Sequence, residues 1–183
     1  RADAGARALV IGAGPIGLGT AIFARIAGLD VSLLDMSSER LAFAAGELGF
    51  ATLDGSRKPM PDLVSDATSG EGSDTVFDAT GNTQSVQAAF AHVAHGGMLV
   101  LVSVVKDDIV FSDPEFHKRE MTLIGSRNAL RADFDHVAAS IRNGAVPIAK
   151  LVTHRTTLDD TPGNLARWAH EKSGLIKAVI EVG

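Results

Sequence analysis

Gly12, Gly14 and Gly17 stand in the pattern G-x-G-x-x-G directly behind the apolar run Ala8-Leu9-Val10-Ile11, and Asp35 closes the next apolar run, Val31-Ser32-Leu33-Leu34. Each position has a physical job in holding a dinucleotide. Gly12 permits a tight strand-to-helix turn, Gly14 lets bare backbone approach a pyrophosphate, and Gly17 lets the helix pack close to the strand. Pro15 and Ile16 open the helix; proline suits this place because its missing N–H would have no intrahelical partner there. The free N–H groups and positive end of the helix attract phosphate. Asp35 lies eighteen residues beyond Gly17, near the spacing of an acid that accepts hydrogen bonds from ribose hydroxyls. A carboxylate there suits NAD and would sit against the 2′-phosphate of NADP. Met36, Ser37 and Ser38 bring no cation beside it, and Arg40 can stack on adenine or offset a phosphate. NAD is the expected cofactor.

These residues need a scaffold, and the rest of the chain supplies one. Apolar runs alternate with amphipathic stretches, which implies a parallel sheet with helices on both faces. Ser37 or Ser38 caps a helix reaching Gly49; Phe50 to Leu53 is a third strand; Pro61 starts a helix through Ala67; Thr75 to Ala79 is a fourth strand. Thr80-Gly81-Asn82 turns into a helix with its face at Val86, Ala89, Phe90 and Val93, broken by Gly96-Gly97. Met98 to Val102 and Met121 to Ile124 complete six strands, which right-handed crossovers order 3-2-1-4-5-6. That is a doubly wound α/β sheet of the Rossmann type with a C-terminal appendage. Ligand then meets the loops after Ile11, Leu34, Ala79 and Val102, making Ala79, Thr80, Gly81, Val102 and Ser103 candidate contacts. Beyond the sheet, Phe134, Val137, Ala138 and Ile141 mark a trailing helix, Lys150 to Thr153 is extended, Asp159 to Glu171 is helical, and Ile176 to Val182 is a last strand. The expected division is 1–150 for the dinucleotide domain and 151–183 for a C-terminal segment.

Bulk properties narrow the function classes. The chain has 183 residues and a formal charge of −5, which disfavours non-specific nucleic-acid binding. The longest apolar stretch, Gly96 to Val105, is too short to span a bilayer, and Arg1 to Gly5 lacks the apolar segment of a signal peptide. Cysteine is absent, so thiolate metal sites are excluded and a cytoplasmic location is expected. The opening Arg1, in place of Met, points to a fragment or processed product.

The remaining candidates carry blander readings. His92 and His95 have a helical metal spacing but no nearby acid, so they are expected to satisfy carbonyls in a last helical turn. His154 reads as a polar contact. Asp107-Asp108 and His117-Lys118-Arg119-Glu120 read as solvated loops, and Ser103 lacks the G-x-S-x-G setting of a hydrolase nucleophile. Ser126 and Arg127, just past a buried strand, either reach a ligand or form a surface turn.

The sequence resembles the zinc-type medium-chain alcohol and polyol dehydrogenases. Val10 to Gly17 is similar to their coenzyme motif; Asp35 with Arg40-Leu41 resembles their D-x-x-x-x-R-L; Gly72 to Gly81 resembles G-x-D-V-V-x-E-x-x-G. Gly96-Gly97-Met98-Leu99-Val100, Val152-Thr153-His154 with Leu158, and Ile176 to Ile180 resemble later family segments. Asp113 to Glu120 and Gly125-Ser126-Arg127-Asn128 look most like galactonate- or sorbitol-type enzymes. The resemblance implies hydride transfer between a polyol, sugar acid or other secondary alcohol and NAD, with Ser126 and Arg127 near the nicotinamide ribose. It also implies a zinc that polarises the alcohol oxygen, held on a GroES-like domain this sequence does not contain. The chain alone is therefore expected to bind coenzyme without turnover, and the segment from about Leu151 would pack on that other domain. Met121 to Ile124 form a short apolar edge without proline or charge, so Met121, Leu123 and Ile124 are expected to form a homodimer, as the resemblance also implies, unless Asp107 to Lys118 folds over the edge and keeps the chain monomeric. A non-catalytic NAD(H)-sensing module is the alternative. A methyltransferase would carry an acid before the first glycine, where Val10-Ile11 stands.

Overall fold

The computed structural model describes residues 3–171 and 173–182. The first compact unit, Arg1–Ala129, is built on a six-stranded sheet. Its elements are β1 (Arg7–Ile11), α1 (Pro15–Ile26), β2 (Asp30–Asp35), α2 (Ser38–Leu48), β3 (Ala51–Asp54), α3 (Met60–Thr68), β4 (Ser73–Asp78), α4 (Thr83–Ala89), β5 (Val93–Leu101), α5 (Asp113–Lys118) and β6 (Thr122–Gly125). The strand order is β3-β2-β1-β4-β5-β6 and every pairing is parallel, as the crossover rule requires.

The strands are buried on both faces, so they read as continuous apolar runs. Leu9, Ile11, Leu34, Val76 and Leu99 pack with Val64 of α3 and Ala89 of α4. Val10 and Leu33, offset by one residue, are also buried, as are Leu18 and Ile22 of α1. Helix ends follow their chemistry. The Ser37 hydroxyl accepts the Arg40 N–H to start α2, which closes on Gly49 at φ +68°. Pro61 lies in the first turn of α3, whose cap position is Pro59.

Four expectations differ from the structure. The helix thought to reach Val93 stops at Ala89, becomes a 3₁₀ turn (Phe90–His92), and Val93 already opens β5. Gly96-Gly97 therefore does not break a helix. Ser73 pairs with Val93 but Thr75 pairs with Met98, so Ala94 to Gly97 bulge out of the ladder. Gly96 takes φ +70°, and a Cβ on Gly97 would lie 2.9 Å from the Asp74 carbonyl oxygen. Periodicity could not show this, because a bulge of four residues, Ala94 to Gly97, against one, Asp74, reads like a helix end. His117 and Lys118 close α5 (Asp113–Lys118) rather than lying in a solvated loop; the Ser112 hydroxyl accepts the Glu115 N–H and Pro114 sits in the first turn. Lys150 and Leu151 lie in a single helical turn, so the extended segment begins at Val152, two residues later than expected.

The histidine reading also changes. His92 is buried in the 3₁₀ turn and His95 is exposed on β5, so the two do not share a helix face. Arg119 serves the carbonyls instead: its Nη1 donates to Val93 O at 2.6 Å and to Ala91 O at 3.4 Å. Burial, reinforced by the Arg119 charge, lowers the His92 pKa to about 4. Its Nε2 has no hydrogen-bond partner. The unfolded chain takes up this proton near its usual value and the folded chain only near pH 4, so the stabilisation is complete at neutral pH and is lost as pH falls through this window. That shift corresponds to about 3 kcal/mol. Urea unfolding at pH 7 and pH 5 should show a lower midpoint at pH 5, and His92→Leu should remove most of that dependence. An equal pH effect in both chains would contradict the assignment.

The second unit, Leu130–Gly183, contains α6 (Arg131–Arg142), α7 (Ile148–Leu151), β7 (Val152–Thr157), α8 (Thr161–His170) and β8 (Lys177–Glu181). β7 and β8 pair in parallel with α8 between them, a small β-α-β unit. Trp168 is buried with its ring 5.6 Å from that of His154 in an edge-on arrangement, which gives that histidine a packing role. By compactness the trailing helix groups with this unit.

Candidate functional site

Three strands end on an aspartate followed two residues later by a hydroxyl: Asp35-Met36-Ser37, Asp54-Gly55-Ser56 and Asp78-Ala79-Thr80. In each, Oδ1 accepts the N–H of the residue two ahead, at 2.8, 3.0 and 3.0 Å. Aspartate makes this turn because its short carboxylate reaches its own backbone. The repetition fixes the loops at the carboxyl edge of β2, β3 and β4, where an open α/β sheet binds its ligands.

A cleft of about 620 Å³ opens at this edge, within the range of small-molecule sites. Gly12, Gly14, Asp35, Arg40, Ala79 and Thr80 line it, together with Met36, Met60, Asn82, Gln84 and Ser85. Six residues proposed from sequence thus come together. The glycines divide the work. Gly12 takes φ +100°, and a Cβ on Gly17 would lie 1.7 Å from the Gly12 carbonyl oxygen, so Gly17 serves packing. A Cβ on Gly14 would meet only Arg40 Nη1, at 4.0 Å. The backbone at Gly14 is therefore open to the cleft.

Asp35 is nearly enclosed. Its Oδ2 accepts the Ala13 N–H at 2.6 Å and lies 3.9 Å from Arg40 Nη1. Two of its roughly four lone-pair positions are used, leaving two for a ligand's hydroxyls. Asp78, absent from the sequence-derived site, is fully buried behind the cleft. It accepts the Thr80 N–H (3.0 Å), the Thr80 hydroxyl (2.7 Å) and the Ser85 hydroxyl (2.7 Å), which sets the β4–α4 turn that forms one wall. The D-x-[ST] repeat was the sequence signal for both Asp54 and Asp78.

The other sequence candidates do not line this cleft. Pro15 and Ile16 are exposed at the start of α1. Gly81 lies beside Ser103, 3.7 Å from its Cβ to an added Cβ, and the Val102 and Ser103 N–H groups bond to Asp78 O. Ser126 donates its N–H to Leu101 O, and both it and Arg127 are exposed beyond β6.

A groove with open glycine backbone, a helix N-terminus and an acid with unused acceptor positions fits a dinucleotide. Among the described residues no three His, Cys, Asp or Glu side chains gather as metal ligands. The fold and its edge define a doubly wound domain of the Rossmann type. Residues 15–143 match the model of the zinc-binding dehydrogenases, and the chain belongs to that family. It is 36% identical to L-galactonate-5-dehydrogenase of Escherichia coli (strain K12) over 176 residues, 96% of this chain and 52% of that protein. The structure of 2R,3R-butanediol dehydrogenase from Bacillus subtilis superposes with a TM-score of 0.91 at 25% identity, over 100% of this chain and 52% of that one. A chain from Sinorhizobium meliloti 1021 solved with bound NADP superposes at 0.86 with 25% identity, over 98% of this chain and 53% of that one. The chain spans about half the length of the relatives it matches. No helix among the described residues is long and apolar enough to cross a membrane.

Proposed function

We propose that this chain is the NAD-binding part of a dehydrogenase that oxidises a polyol, sugar acid or other secondary alcohol. The observation that carries this reading is a single cleft in which open backbone at Gly14 faces the free lone pairs of Asp35. NAD, when bound, accepts the hydride. The chain's own residues bind and orient it. Gly12, Gly14 and the α1 N–H groups behind Pro15, Ile16 and Gly17 take the pyrophosphate. Asp35 takes the adenosine ribose, Arg40 covers it, and Ala79, Thr80 and Gly81 form the facing wall. Val102, Ser103, Ser126 and Arg127 are assigned to the nicotinamide side. The reacting alcohol would be held outside this chain, which alone is expected to be inactive. On this reading residues 1–150 serve the coenzyme and 151–183 return to a catalytic domain. The cysteine-free composition fits a cytoplasmic setting.

The relative with bound NADP shows that this fold can accommodate that coenzyme. NAD is favoured here because Asp35 occupies the place of a 2′-phosphate and places a negative charge there. Asp35→Ala should weaken NADH by roughly tenfold to a hundredfold, the loss of a charged hydrogen bond worth about 1.5–3 kcal/mol, and narrow the gap to NADPH. Fluorescence titration that finds NADH affinity unchanged would contradict the role given to Asp35.

We also propose a homodimer through β6. This strand lies at the sheet edge, and its Leu123 and Ile124 are exposed without proline or charge to deter pairing. Two such edges about a two-fold axis, with Met121 buried behind each, would join the sheets. Leu123→Pro removes a ladder donor and should convert dimer to monomer in sedimentation. A parent chain that sediments as a monomer at micromolar concentration would contradict this interface.

A further inference from the structure

Asp54 is the last residue of β3 and the register partner of Asp35 on the neighbouring strand. Parallel strands lie about 4.8 Å apart, so a second carboxylate stands beside the ribose acid. Its partners are ordered: Oδ2 accepts the Ser38 hydroxyl at 2.7 Å, Oδ1 accepts the Ser56 hydroxyl at 2.6 Å, and Arg57 Nε lies 3.1 Å from Oδ2. The Ser56 and then the Ser38 hydroxyl hold this carboxyl below its usual range, so it is ionised at neutral pH.

These contacts matter because of what they occupy. A phosphate on the adenosine 2′-oxygen would extend past Asp35 towards the start of α2. Of the donors in this neighbourhood, the Arg40 guanidinium lines the cleft, and the Ser37 N–H and hydroxyl, the Ser38 hydroxyl and the Arg57 guanidinium belong to the residues bonded to Asp35 and Asp54. The Ser37 N–H is given to Asp35, and its hydroxyl accepts from Arg40 N. Ser38 and Arg57 are held by Asp54. The loop also backs the cleft wall, since a Cβ on Gly55 would lie 2.8 Å from Met36 Sδ. We infer that Asp54 is a second specificity-determining residue for coenzyme: it engages Ser38 and Arg57, two of the groups that would bind a 2′-phosphate, and adds a negative charge that disfavours one. This rests on the coenzyme reading of the cleft. Asp35 alone then does not set the preference, and its replacement alone leaves an incomplete phosphate site.

The test is calorimetric titration of the purified chain and its Asp54→Asn variant with NADH and with NADPH. Removing the charge should tighten NADPH by about tenfold while NADH stays within about threefold of the parent. Asp54→Glu keeps the charge and should keep the parent ratio. Asp54→Ser offers a second neutral side chain should the asparagine variant not fold. Parent-level NADH binding with an unchanged NADH/NADPH ratio in the neutral variants overturns this inference alone, as does equal weakening of both nucleotides. A parent chain that binds neither nucleotide overturns the coenzyme reading and this inference with it.

Discussion

Gly14→Val is expected to abolish NADH binding while the domain stays folded. Gly14 has extended backbone at φ −77°, ψ −178°, a conformation that valine favours. The new side chain would approach only the Arg40 guanidinium, which is flexible enough to move. As the N-cap residue Gly14 makes no side-chain bond, so its loss costs the helix about 1 kcal/mol at most. The branched carbons, however, fill the space in which a pyrophosphate must meet backbone N–H groups. Displacing charged hydrogen bonds to two phosphates costs several times the roughly 1.5–3 kcal/mol of one such bond, hence at least a thousandfold in affinity. Circular dichroism and a thermal melt close to the parent, with no calorimetric signal from NADH, form the expected pair of results. Normal NADH binding by this variant would show that the glycine turn does not hold phosphate.

Gly17→Ala, three residues on, should do the opposite and strike the fold first. A Cβ at this position falls 1.7 Å from Gly12 O and 2.8 Å from Gly12 C, both backbone atoms of the turn below. No rotamer change relieves that contact, so α1 must lift from β1. Overpacking of this kind costs about 3 kcal/mol or more, which lowers the melting temperature by about 6–12 °C for a chain of this size. Coenzyme affinity falls with it, because Gly12 and Ala13 shift together. A melting temperature within about 1 °C of the parent would show that the helix stands further from the strand than the structure places it. Taken together the two variants separate glycines that sequence spacing treats alike.

The sequence resolved the strands best where burial on both faces leaves an unbroken apolar run, as in Ala8 to Ile11 and Val31 to Leu34. Strand order followed from crossover handedness, and the glycine turn and Asp35 were placed from spacing alone. What escaped has a common cause: it depends on partners far along the chain. The early start of β5 rests on Val93 pairing with Ser73, and on Arg119 capping its carbonyls. The burial of His92 follows from the same rearrangement. Asp78 reads as the polar end of a strand until Ser85, seven residues later, is seen to donate to it. Asp54 and Ser38 meet across sixteen residues. The proposed assignment of Ser126 and Arg127 rests on family resemblance alone, because neither residue lines the cleft and no local pattern binds that loop to it.

The most direct test of the central claim is a calorimetric titration of NADH into the purified chain. The arrangement of Gly14 and Asp35 in one cleft predicts saturable binding of one nucleotide per chain, displaced by NAD. Heats that never saturate up to about millimolar nucleotide, the weak end of useful affinity, would contradict it.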